Sequence, residues 1–350
     1  MATVEVLSQR FREWSDYTLG APLYQRFAAR VADEPRVLDL LRGAPEQQQL
    51  PVLLFAAVHD LLLRGDAPDL AAHYPNLRIG TATGDACELF VGFVHDREPE
   101  LAAIIASRTT QTNEVGRCAS FLPVLAAVDA ECGPIAHVDI GTSAGLNLLF
   151  GRYHYEYQPG GEVGLDSPVR LVCGTKGAVP VPTSMPRIVS AIGLDQSPID
   201  VTDPEQTRWL EACVWPDQPE RFDRLVAALE LAVADPPDVR RGDAVGDLAA
   251  LVREAAAAGH PVVTNSWVLN YLDLTARREY LDTLDRLGGE IDLSWVLAEA
   301  PAQTPGLPIP TTDPPEEVTV LSLVTWRSGR RAVTRLATTH PHGRWLNWER

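Results

Sequence analysis

The segment Val138-Asp139-Ile140-Gly141-Thr142-Ser143-Ala144-Gly145-Leu146-Asn147-Leu148-Leu149-Phe150 carries the densest chemistry in the chain. An apolar run enters a glycine turn, and the pattern predicts that the turn opens a helix. Two chemistries share this outline. The first is nucleophilic: Gly141 to Gly145 has the G-x-S-x-G spacing in which a sharp turn lifts a serine hydroxyl, here Ser143, for attack. It needs an acid and then a histidine further along, and Asp243 precedes His260 while Asp273 and Asp292 precede His340 and His342. The second is ligand binding. Glycines let a backbone approach a ligand closely, and a helix N-terminus favours negative charge.

Other residues favour the second chemistry. Asp139 sits at the strand end, just before Gly141. Asp195 ends the next apolar run, Ile192-Gly193-Leu194-Asp195, where a carboxylate can accept both hydroxyls of a ribose. Asp243 lies in Arg240-Arg241-Gly242-Asp243-Ala244, a turn before a helix. A fourth polar and aromatic run holds Asn265, Trp267, Asn270 and Tyr271. Arg117 ends an unusually polar stretch from Ser107, and its planar fork suits a carboxylate. Tyr153, Tyr155 and Tyr157 alternate and so share one face of a strand, to line a pocket or to pack on the helical part. His340 and His342 flank a proline with no cysteine or acid at ligand spacing, so no metal site is expected. Either could serve as a general base.

These residues need elements to hold them. Residues 1–110 read as an all-α domain: aromatic and aliphatic residues from Phe11 to Val31, including Leu19, recur near helical spacing, Leu50 to Leu63 is a second segment, and prolines punctuate between them. Residues 111–350 read as α/β. Apolar runs at Ile135–Ile140, Arg187–Leu194, Pro261–Val268 and Ile291–Leu297 are strands, with helical stretches between the later ones. That alternation implies a parallel sheet. Glu205–Leu231 is read as one of its broken helical stretches. Val318–Trp326 and Arg331–Thr339 flank Ser328-Gly329 and form a hairpin. Residues 151–186, rich in Tyr, Gly and Pro, are an insertion, expected as a β-ribbon or loop excursion. Pro301–Pro315 is expected as a long loop.

Composition narrows the function. The chain has 350 residues, a net charge of −17 and 45% hydrophobic residues. So acidic a surface repels phosphate backbones, and no dense basic patch offsets it, so no nucleic-acid partner is expected. No run of roughly 18 apolar residues crosses a membrane. Five scattered cysteines without C-x-x-C spacing and a polar N-terminus without a signal core predict a reducing, cytoplasmic setting.

The order of glycine turn, acid, Gly-Asp turn, polar fourth strand and closing hairpin resembles the class I S-adenosylmethionine-dependent methyltransferase fold, a Rossmann-like sheet with a terminal antiparallel hairpin. Asp139–Gly145 is similar to its first glycine-rich motif, with Ser143 in place of the middle glycine. The resemblance implies S-adenosylmethionine as cofactor, bound by Arg117, Asp139, Gly141, Ser143, Gly145, Asp195, Asp243 and Asn265. It implies Asn265, Tyr271 and His340 beside the reacting methyl, and a small-molecule acceptor. In dinucleotide folds the ribose acid lies about 20 residues past the glycines; here the insertion intervenes. A non-catalytic binding module and a Ser143 hydrolase are the alternatives. Over nearly its full length the chain is also similar to an uncharacterised bacterial domain-of-unknown-function family. The matching stretches include Thr110–Cys118, Gly141–Tyr155, Val214-Trp215-Pro216 and His340–Leu346.

Overall fold

The computed structural model describes residues 2–18, 20–309 and 318–349. Leu19 and residues 310–315 of the expected loop lie outside them. The chain divides into two compact units, Met1–Thr112 with Thr202–Val226, and Asn113–Val201 with Ala227–Arg350.

The first unit is helical, with helices that include Val4–Tyr17, Pro22–Val31, Pro51–Leu63, Ala86–Asp96, Glu98–Ser107 and Pro204–Ala212. Proline opens several of them, where its missing N–H costs nothing and its fixed φ suits the first turn. Phe11, Tyr24, Phe27, Phe55 and Phe90 are buried in one core. Phe27 stacks on Phe90 at 4.4 Å between centroids.

The division corrects the expected domain boundary. Residues 202–226 belong to the helical unit, not to the α/β part. Trp209 is buried in the same core as Phe55 and donates through Nε1 to the Thr109 carbonyl at 2.8 Å. Arg208 pairs with buried Asp60 at 2.9 Å, and His59 Nδ1 meets the Ala212 carbonyl at 3.0 Å. Helical periodicity reveals an apolar face but not which core that face will join.

The second unit is built on one 11-stranded sheet. Its strands are β1 (Ile135–Ile140), β2 (His154–Gln158), β3 (Gly161–Gly164), β4 (Arg170–Lys176), β5 (Ile188–Asp195), β6 (Val239–Arg241), β7 (His260–Ser266), β8 (Leu293–Glu299), β9 (Thr319–Arg327), β10 (Arg330–Thr339) and β11 (Trp345–Trp348). Their order is β3-β2-β4-β11-β10-β9-β8-β7-β1-β5-β6. The half from β6 to β8 is parallel throughout. Leaving β2 to β4 aside, it runs third-second-first-fourth-fifth, the doubly wound order, and the winding reverses between β1 and β7. The four expected strands and the hairpin are present, and Ser328 and Gly329 take the positive φ of +51° and +73° that a tight hairpin turn requires.

The insertion does not leave the sheet. Its β2, β3 and β4 extend the far edge, where β4 pairs in parallel with β11. The helix Cys118–Cys132 lies against β1, β4 and β8. Helices Leu248–Ala258 and Leu274–Gly288 cover a core that includes Val138, Ile140, Val263, Trp295 and Trp326. No helix among the described residues is long and apolar enough to cross a membrane.

Candidate functional site

The C-terminal ends of β1, β5, β6 and β7 gather most of the expected residues. After β1 the backbone turns left-handed three times, with φ of +74° at Gly141, +55° at Ser143 and +73° at Gly145. The outer two positions need glycine on packing grounds as well. A β-carbon at Gly141 would collide with Val268, and one at Gly145 with Val239 and Pro237.

The turn is tied down at almost every amide. Gly141 and Thr142 donate to the Leu194 carbonyl at 2.8 and 3.2 Å, and Gly145 donates to Thr142 at 2.9 Å. Ser143 N–H donates to Asp195 Oδ2 at 2.8 Å, while Asp195 Oδ1 accepts from Ser197 N–H at 2.8 Å. The amide of Leu146 donates to Asn113 Oδ1 at 3.1 Å. Asp195 therefore joins the tip of β5 to the glycine turn.

The expected helix after the turn is absent. A 3-10 run, Leu146–Arg152, takes its place and breaks at Leu149. Tyr153 and Tyr155 explain it: their hydroxyls donate to the carbonyls of Leu146 (2.6 Å) and Phe150 (2.7 Å). Those carbonyls are satisfied by side chains instead of by a following helical turn. Tyr157 donates likewise to Ala119 at 2.7 Å. The three tyrosines share a buried face, as their spacing predicts, and they staple backbone within their own unit.

Below the turn runs a buried polar chain. Thr142 and Thr264 hydroxyls donate to the two oxygens of Asp139 at 2.8 and 2.6 Å. Thr264 has one proton and spends it on Asp139, so His137 Nε2, 2.8 Å away, must donate to Thr264. Burial raises the Asp139 carboxyl to about 6 against the pull of the two hydroxyls and Arg117. Burial lowers the His137 imidazole to about 4. Asp139 thus holds the turn from beneath, with both oxygens occupied.

Asp243 lies just past β6 and is exposed. Its Oδ1 accepts from the amides of Gly246 (2.7 Å) and Val245 (3.0 Å), and its Oδ2 from Gln196 Nε2 (3.1 Å). The amides hold its carboxyl below the usual carboxylate range. Gln196 links it to Asp195, so the two acids stand side by side at neighbouring strand tips.

Four other expected residues, Asn265, Arg117, His340 and Tyr271, have different settings. Asn265 is fully buried: its Oδ1 accepts from Trp295 Nε1 (2.7 Å) and Tyr280 (2.9 Å), and its amide reaches the Ile140 carbonyl. Both ends of that side chain are hydrogen-bonded within the core. Arg117 donates to the carbonyls of Pro341 (2.9 Å) and Ser266 (3.0 Å), bracing β7 from its open end. His340 accepts at Nδ1 from the His342 amide, with its ring near Trp345. Tyr271 is 81% exposed.

Sequence reasoning missed Glu299 and Arg277. Glu299 ends β8, is fully buried, and accepts at Oε1 from the amides of Val268 (3.0 Å) and Leu269 (3.2 Å). Its only sequence signal is a charge ending an apolar strand. Among the described residues no group of three or more His, Cys, Asp or Glu could hold a metal ion, and all five cysteines are thiols. No curated protein and no solved structure matches the chain. A family model matches residues 8–348, and by it the chain belongs to the bacterial family described as "Uncharacterized protein conserved in bacteria (DUF2332)".

Proposed function

We propose that the chain binds S-adenosylmethionine at the C-terminal ends of β1, β5 and β6 and transfers its methyl group to a small molecule. The observation that carries this reading is the placing of Asp195 and Asp243 beside a glycine turn at the reversal of the parallel sheet. Ligands of doubly wound sheets bind at that reversal, outside the carboxyl ends of the strands.

The chemistry of the site supports a nucleoside without phosphates. A phosphate-binding turn offers free backbone amides and a helix N-terminus. Here the amides of residues 141, 142, 143, 145 and 146 are engaged, and a 3-10 run follows. The residues present fit hydroxyl and amine donors instead. Each Asp195 oxygen accepts one amide and retains a second lone-pair direction for a ribose hydroxyl. Asp243 can accept from an amino group. Bound S-adenosylmethionine would supply a methyl on a sulfonium, an electrophile that needs orientation more than activation. The chain's part is positioning and exclusion of water. Tyr271 or His340 would take the acceptor's proton. With Asn265 sealed in the core, it supports the floor of the site and does not touch the acceptor.

The serine hydrolase reading has one observation in its favour, the left-handed Ser143. Against it, Ser143 is 4% exposed, whereas a nucleophile turn presents its hydroxyl at the surface. Titration calorimetry of the intact chain with S-adenosylmethionine and S-adenosylhomocysteine tests the proposal. Heat fitting one site is the expected result. Its absence at roughly millimolar ligand would sink both the enzyme and the non-catalytic cofactor module. Labelling of Ser143 by a fluorophosphonate would revive the hydrolase.

A further inference from the structure

The turn after β7 is gripped from both sides by buried charge. Its amides at Val268 and Leu269 go to Glu299 Oε1 at 3.0 and 3.2 Å. Its carbonyls go to Arg277: Leu269 accepts from Nε at 2.8 Å and Asn270 from Nη2 at 3.5 Å. Arg277 also donates to the Pro305 carbonyl at 3.3 Å. Glu299 is 0% exposed and Arg277 7%. Burying two ions is expensive unless each is well partnered. Here a single turn lies between them, its amides facing the anion and its carbonyls facing the cation. Trp267, just before the gripped amides, has a φ of +57°, a strained angle for so large a residue.

The turn matters because of what it touches. Val268 occupies the space that a side chain at Gly141 would need, so it forms the wall against the first glycine of the β1 turn. We propose that Glu299 and Arg277 are positioning residues that lock this wall in place, and that the lock is strongest with Glu299 ionised. Its bearing on ligand affinity rests on the S-adenosylmethionine reading; the lock itself does not.

The groups facing Glu299 set when it ionises. Arg117 and Arg277 favour the anion, the hydroxyl of Tyr280 stands nearby, and Glu299 Oε2 has no hydrogen-bond partner among the described residues. Burial outweighs the cations and the amides and raises the carboxyl to about 7. A neutral carboxyl is the weaker acceptor, so the amides are held less firmly below that pH.

Hydrogen exchange of the Val268 and Leu269 amides in the intact chain reads the lock directly. After correction for intrinsic rates, protection should fall about fivefold from pH ~8 to ~6, the difference between a charged and a neutral acceptor. Protection at Val263, inside β7, should not change. Equal protection at both pH values overturns the proposal. Glu299→Gln should abolish the pH dependence, and a folded variant that retains it would overturn the proposal too. If that variant does not fold, the wild-type profile decides alone. S-adenosylhomocysteine affinity should weaken by a similar factor over the same range. pH-dependent protection without any such binding would support the lock and sink the cofactor reading.

Discussion

Asp195 does two things that substitution can separate. Its Oδ2 holds the amide of Ser143, and Ser143 is 4% exposed. Its Oδ1 holds the amide of Ser197, which is exposed and can be taken over by water. Asp195→Ala therefore orphans one buried donor, which costs about 1–3 kcal/mol. Asp195→Asn keeps an acceptor for Ser143 and exchanges a charged hydrogen bond for a neutral one, a loss of about 1 kcal/mol. Urea unfolding followed by tryptophan fluorescence should rank wild type above Asn above Ala, with the slope unchanged. Calorimetry should show a different spacing. S-adenosylhomocysteine binding should weaken about five- to tenfold in Asp195→Asn, because a charged acceptor for the ribose is lost. It should be lost further in Asp195→Ala, where the turn is also released. An Ala variant as stable as wild type would show that this carboxylate does not hold the turn. Unchanged affinity in the Asn variant would show that it does not hold the ligand.

Gly145→Ala should cost about 2–5 kcal/mol, summing a left-handed non-glycine residue and a clash with Val239 and Pro237; a thermal midpoint within a degree of wild type would refute the packing argument. Buried His59 has its imidazole lowered to about 4 by burial. Its unfolded value is near 6.5, so its contribution is complete above that pH and is lost as pH falls towards 4. The fall in unfolding free energy from urea titrations between pH ~7 and ~4.5 should therefore be shallower in His59→Phe, by up to about 1.4 kcal/mol per pH unit, and an equal slope would refute the assignment. Tyr271→Ala should change stability by less than about 0.5 kcal/mol, as exposed side chains usually do, while lowering any methyl transfer measured with a small-molecule acceptor. A large loss of stability would mean the ring is packed in solution.

The glycine turn, the strands around it and the acids at their tips were legible because each rests on local physics. β1, β7 and β8 are apolar runs buried along most of their length, and β5 is buried at its Ile192-Gly193-Leu194 end. Positive φ at Gly141 and Gly145 is a demand that glycine meets locally. The closing hairpin follows from two β-rich runs and a Ser-Gly turn. The helix expected after Gly145 failed for a non-local reason: the hydroxyls of Tyr153 and Tyr155 return from β2 to take its carbonyls.

The sequence by itself therefore determined which segments are strands, where the backbone must turn left-handed, and which carboxylates stand at strand tips. The tertiary structure alone decided who meets whom. It placed residues 202–226 on the helical core, carried the 151–186 insertion to the sheet edge beside β11, and turned Asn265 inward to Trp295 and Tyr280. It also set Glu299 and Arg277 on either side of one turn. The reason is one of range. Strand and turn preferences are written within a few neighbouring residues, whereas the partner of a buried polar atom is chosen by whichever distant backbone the completed core brings within about 3 Å.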